Sequence, residues 1–188
     1  MINVIELTES HMTGTKPDIV LPTSDAWIAG GAIRRWFTGE KQDSDIDVFC
    51  ACDSAVDQVI VLNHLTERVR NDRMIMFRRS PVQIILQPQF HTPEETIEHF
   101  DFTICQFAYD GSRIICTIEA VLSSLRKHLA VAQVQKGFEI DSLRRAFKYQ
   151  RQGFTPCIGT IRDLVGAIRS ADEIDLAKFD EISPDRWD

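Results

Sequence analysis

The chain has 188 residues, 44% hydrophobic and 26% charged. This is the composition of an ordinary soluble globular protein, long enough for one domain or for one domain with a small helical appendage. No apolar run approaches the length that crosses a membrane, and with a net charge of -7 and a pI of about 5.2 the chain lacks the strongly basic domain of a non-specific nucleic-acid binder, so any nucleic acid is expected to be engaged locally.

The opening stretch MINVIELTESHMTGTKP carries neither a basic leader nor an apolar h-region, so a secretory signal is not expected and the cytoplasm is the expected location. Residues 1–25 are turn-rich around the strand-like NVIEL. AWIA predicts a strand ended by Gly30-Gly31, and AIRRWF predicts a short helix closed by Gly39. SDIDVFC has the acid/apolar alternation of a half-buried strand. DSAVDQVIVLNHLTERVR then opens on Asp53 and Ser54 with apolar residues at helical spacing, which predicts a helix that takes in His64. MIMF and VQIIL predict strands separated by RRSP. In TPEETIEHF, Thr92 is a cap, Pro93 takes the first helical position and Glu95 follows three residues after the cap.

DFTICQFAYDGSRIIC predicts an apolar segment, a turn at Asp110-Gly111 and a short strand. From Ile118 onward the pattern is mainly helical, including DSLRRAFKYQRQGF and IGTIRDLVGAIR. The expected organisation is therefore an α/β core over 1–117 and a helical extension over 118–188. Residues 171–188 hold seven acids and two bases and read as a solvated acidic tail. Five cysteines, at 50, 52, 105, 116 and 157, form no zinc set and read mostly as small buried apolar residues. The histidines pair with no acid or cysteine at ligand spacing and read as surface or packing residues.

Two features carry chemistry. Side chains two apart on a strand share a face, with roughly 6.5–7 Å between their α carbons, so Asp45 and Asp47 can converge on one hard cation while Ile46 and Val48 face the core. Magnesium takes oxygen ligands, usually one or two carboxylates completed by phosphate and water. Just upstream, Gly30 and Gly31 let the backbone approach a ligand closely, and the following helix offers free amides to phosphate. Arg34, on that helix's first turn, adds a charge-assisted contact.

The spacing of these features resembles the opening motif of the polymerase-β-like nucleotidyltransferase superfamily, most of all the branch of bacterial CCA-adding enzymes and poly(A) polymerases. The head of that branch reads GGxVRDxLLG…DxDh, against GGAIRRWFTG…DSDIDVF here. FDFTICQFAYDGSRIIC is similar to its RRDFTINALAYDGxIID, and EIDSLRRAFKYQRQGF to its EDPLRxxR…RxGF. The three ordered motifs cover roughly residues 26–154. The resemblance implies an α+β nucleotidyltransferase fold, a small mixed sheet with flanking helices, followed by a short helical segment.

By that resemblance Asp45 and Asp47 hold catalytic Mg2+ (or Mn2+), and Gly30, Gly31 and Arg34 bind the triphosphate of a nucleoside triphosphate such as ATP. Asp141 and Arg144 read the base's edge, and Lys148 extends their basic stripe. The superfamily's third carboxylate falls at Gln83, a neutral amide that binds magnesium poorly, with Asp101 as the candidate substitute. His99 and Phe100 stand where arginines are usual, Cys105 replaces an asparagine, RRW replaces RDL, and the run from Asp141 to Gly153 is about a turn short. The implied activity is transfer of a nucleotidyl group to an acceptor hydroxyl on an RNA end, a nucleotide, a protein or a small molecule. The competing readings are a non-catalytic nucleotide-binding or regulatory module on a degenerate version of the fold, and a structural interaction protein of a virus or mobile element.

Overall fold

The computed structural model of the chain describes residues 2–22 and 25–171, so the acidic stretch from 172 on lies outside the described residues. Two compact units emerge: residues 1–100 with 104–121, and residues 101–103 with the chain from Leu122 on.

The first unit is built on an eight-stranded mixed sheet. Its strands are β1 (Val4–Leu7), β2 (Ala26–Ala29), β3 (Ile46–Cys50), β4 (Glu67–Arg70), β5 (Met74–Phe77), β6 (Val82–Ile85), β7 (Phe107–Tyr109) and β8 (Ile114–Thr117). They lie in the order β1-β8-β7-β2-β3-β6-β5-β4, with β3 and β6 parallel and every other neighbouring pair antiparallel. With helices α1 (Gly31–Thr38), α2 (Asp53–Leu62) and α3 (Pro93–His99), this is the α+β arrangement expected from the sequence.

Alternation along the strands sorts the side chains into two layers. Ile28, Ile46, Val48, Ile75, Ile84 and Phe107 form one face, packed with Ile33, Trp36 and Phe37 of α1 and Ala55, Val56 and Val59 of α2. Each such fully buried side chain contributes about 1.5–3 kcal/mol. Trp27, Ala29, Phe49, Ala108 and Ile115 form the other, packed with Ile97 of α3. There the Trp27 indole N–H donates to Thr96 Oγ1 (3.0 Å), so the burial leaves no polar group unsatisfied.

Two expectations change. The helix begun at Asp53 stops at Leu62, because the Asn63 side chain donates to Val59 O and to Val20 O and accepts from Val20 N. His64 then turns through a left-handed conformation (φ 51°), and Glu67–Arg70 becomes an edge strand rather than more helix. SDIDVFC is not half-buried: β3 lies between β2 and β6, and within it only Asp47 escapes full burial. The back of the chain is mainly helical, as expected, with two short strands added. Besides α4 (Ile118–Leu125), within which the two units divide, it contains β9 (His128–Leu129), α5 (Glu139–Arg151), β10 (Thr155–Pro156) and α6 (Ile158–Arg169), with β9 and β10 paired in parallel.

The second unit's core gathers Phe102, Leu129, Ile140, Phe154 and Leu164. Phe102 meets Tyr149 edge-on at 5.5 Å, and Phe102 is bridged to Val131. Cys50, Cys105 and Cys116 are buried, Cys52 and Cys157 are exposed, and all five are free thiols. No helix among the described residues is long and apolar enough to cross a membrane.

Candidate functional site

β2 ends at Ala29, and Gly30 then takes φ 86° and ψ -142°, a conformation open in practice to glycine alone. Its N–H donates to Phe107 O (2.8 Å) and its carbonyl accepts from Arg34 N (3.2 Å), so the same residue closes the strand and starts α1. No side chain caps the N-terminus of α1, which leaves its first amides to be satisfied from outside the helix. A methyl group at Gly30 would lie 3.6 Å from the Phe100 ring, so the obstacle to a side chain is the backbone angle rather than space. Gly30→Ala is accordingly expected to destabilise the protein by about 1–3 kcal/mol, seen as a lower urea midpoint, and an unchanged midpoint would mean that the bend tolerates a side chain.

Asp45 is exposed just before β3, and Asp47 is half-buried within it. Ile46 and Val48 point into one layer, which puts Asp47 on the opposite face, with Asp45 at the entrance to the strand. Asp47 is registered with Ala29 on β2 and with Gln83 on β6. The acid pair is therefore one strand from the glycine bend on one side and beside a half-buried amide on the other. Among the described residues no three His, Cys, Asp or Glu side chains gather as a metal set. One strand carboxylate, a second just before the strand and an amide oxygen suit a magnesium ion that takes its remaining ligands from water and phosphate, and do not form a closed all-protein cage.

Arg34, expected as a phosphate contact, is 1% exposed, with its Nη2 3.4 Å from Glu40 Oε2. The arginine tied to both halves of the site is the next one. Arg35, also buried, donates from Nη2 to Asp45 O (3.3 Å) and from Nε to Gln42 Oε1 (3.1 Å). Its Nη1 lies 3.1 Å from where a Gly31 β carbon would stand. Gln42 in turn donates to Ala32 O (2.8 Å), so α1 and the approach to β3 are stitched together. The signal for Arg35 was in the sequence, as the departure from RDL to RRW.

Where the resemblance has arginines, the structure has an aromatic cluster. Phe100 lies beside Gly30 and edge-on to Phe49 (6.3 Å), and His99 packs against Phe90 (5.0 Å). Burial pushes the His99 imidazole below its ordinary pKa, which favours the neutral ring.

The remaining expected residues belong to the second unit. Asp101 is 6% exposed and accepts from Arg145 Nε (2.8 Å), while its carbonyl accepts from Ala132 N and Gln133 N. Asp141 stands in the first turn of α5, with Arg144 Nη1 3.4 Å from its Oδ1. Lys148 follows one turn beyond Arg144 on the same helix.

The family model described as Gabija anti-defense 2 family protein matches residues 4–128. A protein of Bacillus phage SPbetaL7, described as Gabija anti-defense 2, is 28% identical over 141 residues, which cover 72% of this chain and 35% of that protein. This chain thus spans about a third of that relative's length. Among solved structures, the Thermotoga maritima CCA-adding enzyme complexed with tRNA matches with a TM-score of 0.57 at 19% identity, over 77% of this chain and 38% of its own. A CCA-adding enzyme with CTP matches with a TM-score of 0.57 at 21% identity, over 77% and 37%. An apo form of a CCA-adding enzyme matches over 86% of this chain and 41% of its own, at 19% identity and a TM-score of 0.57. At these identities the structures establish the nucleotidyltransferase fold.

Proposed function

The chain belongs to the Gabija anti-defense 2 family, and from that premise we propose that it acts against a Gabija defence as a metal-dependent nucleotidyltransferase. It moves a nucleotidyl group from a nucleoside triphosphate to an acceptor hydroxyl and releases pyrophosphate. The observation that carries this reading is the register of β2, β3 and β6, with Asp47 opposite Ala29 and the Gly30-Gly31 bend following directly.

In this reading Asp45 and Asp47 hold Mg2+ or Mn2+, which when bound neutralises phosphate charge and helps align the attacking hydroxyl. The bend receives the triphosphate oxygens at the uncapped start of α1. Arg35 acts through the backbone, fixing Asp45 against α1 so that the phosphate seat and the carboxylates keep their spacing. The protein contributes alignment and charge placement rather than a covalent step. In the second unit, Asp141 and Arg144 take the base-reading role that the resemblance gives them, and Lys148 extends their charge. Asp101 takes a structural role as the partner of Arg145.

A second reading, a nucleotide-binding module without transfer, is favoured by one specific observation. The strand position beside Asp47 holds the neutral Gln83. Incubating the protein with each α-labelled nucleoside triphosphate, Mg2+ or Mn2+, and total cellular RNA or protein separates the two. Label appearing covalently on an acceptor is the expected result, whereas metal-dependent nucleotide binding without any transfer would select the module.

A further inference from the structure

The net charge of -7 hides one strongly basic stretch. Between Thr66 and Ser80 stand five arginines (68, 70, 73, 78 and 79) and two acids (Glu67 and Asp72), a local balance of five minus two, or +3. All five arginines are exposed. Arg70 is neutralised by Glu67 at 2.6 Å, and Arg34, Arg113, Arg144, Arg145 and Arg162 elsewhere also have acid partners. Arg68, Arg78 and Arg79 are in no ion pair among the described residues.

The topology places these charges with respect to the acid pair. The turn that holds Arg78 and Arg79 joins β5 to β6, and Pro81 at its end accepts from Ile46 N (2.9 Å), the residue after Asp45. Arg78 N donates to Thr66 O (2.8 Å), which brings the turn beside the chain leading to Arg68. On the other side of β3, β2 runs antiparallel and gives way to Gly30 at this same end of the sheet. The glycine bend and the arginine turn thus flank Asp45 from opposite sides. Across the face that carries Asp47, the registered row continues through Gln83 and Met76 to Val69, which is 43% exposed. Arg79 has φ 55°, a left-handed conformation that glycine or asparagine adopts more readily.

We propose that Arg68, Arg78 and Arg79 form a docking surface for the phosphodiester backbone of a single-stranded nucleic acid, the acceptor whose hydroxyl end reaches the Asp45–Asp47 pair. The inference rests on the nucleotidyltransferase reading and names its acceptor class. Guanidinium groups are matched to phosphate, and the exposed Val69 with the half-buried Met76 beside it gives an unstacked base an apolar floor. Electrostatic capture would be local, because the rest of the chain repels a polyanion.

The test follows fluorescence anisotropy of a short labelled single-stranded RNA against intact protein across a salt series, beside Mn2+-dependent binding of a nonhydrolysable nucleoside triphosphate. Arg78→Ser/Arg79→Gly is expected to weaken RNA binding roughly tenfold and to lower the salt slope by about 0.7 per arginine removed. The same variant should melt no lower than wild type, since glycine relieves the left-handed position, and should keep its nucleotide affinity. Asp45→Asn/Asp47→Asn should do the reverse, losing the nucleotide and keeping the RNA. Unchanged RNA affinity in the arginine variant overturns the proposal, as does absence of RNA binding by wild type. Displacement of the RNA by poly-glutamate at equal charge overturns it in favour of an acidic protein partner. Loss of nucleotide binding alone, with RNA binding intact in wild type, would count against the enzymatic reading and leave the surface standing.

Discussion

Replacing Asp45 and Asp47 together by asparagine is expected to lower nucleotidyl transfer by on the order of a thousandfold or more, with the melting temperature close to that of wild type. The substitution keeps the shape of both side chains and removes both charges. The fold should be indifferent to it. Asp45 is exposed, and Asp47 is half-buried in the backbone ladder between Ala29 and Gln83. The site should not be indifferent, because an amide is a poor ligand for a hard divalent cation and Gln83 already supplies one amide at the neighbouring position. Transfer that survives the double substitution would remove the acids from the chemistry.

Breaking the Asp101–Arg145 pair is expected to lower the stability of the protein, because Asp101 is buried. Arg145→Met leaves a carboxylate of 6% exposure without its cation. Loss of one partner of a buried pair costs several kcal/mol, but Arg145 is itself 44% exposed and water reaches its guanidinium. The expected loss is therefore about 2 kcal/mol in a urea titration. Asp101→Asn should cost less, since a neutral amide tolerates burial better than an unpaired charge. The pair also decides between two roles for Asp101. As the third metal carboxylate, Asp101→Asn would abolish Mn2+ binding, the effect expected of Asp47→Asn. As an anchor between the segment at Asp101 and α5, it would lower the urea midpoint and leave Mn2+ affinity unchanged, which is the expected result.

What could be read from sequence was what local chemistry controls. Gly30-Gly31 ends a strand because only glycine takes that backbone angle, and Thr92-Pro93 with Glu95 starts a helix where it should. What escaped depended on partners far along the chain. The helical spacing after Asp53 gave no sign that Asn63 would turn back to Val20 and end the helix, or that the charged Glu67–Arg70 would join the sheet at an edge with a register shift. An exposed charged strand has few apolar residues to announce it. Arg34 and Arg35 are adjacent and look alike in sequence, and only packing decides that one meets Glu40 while the other supports Asp45. Asp101 gave no hint of a partner 44 residues away.

The most direct measurement is electron paramagnetic resonance of Mn2+ titrated into the protein with a nonhydrolysable nucleoside triphosphate, repeated with Asp47→Asn. A protein-bound Mn2+ signal that requires the nucleotide and vanishes in the variant is the predicted outcome. A signal of equal strength in the variant, or none in wild type at saturating nucleotide, would contradict it.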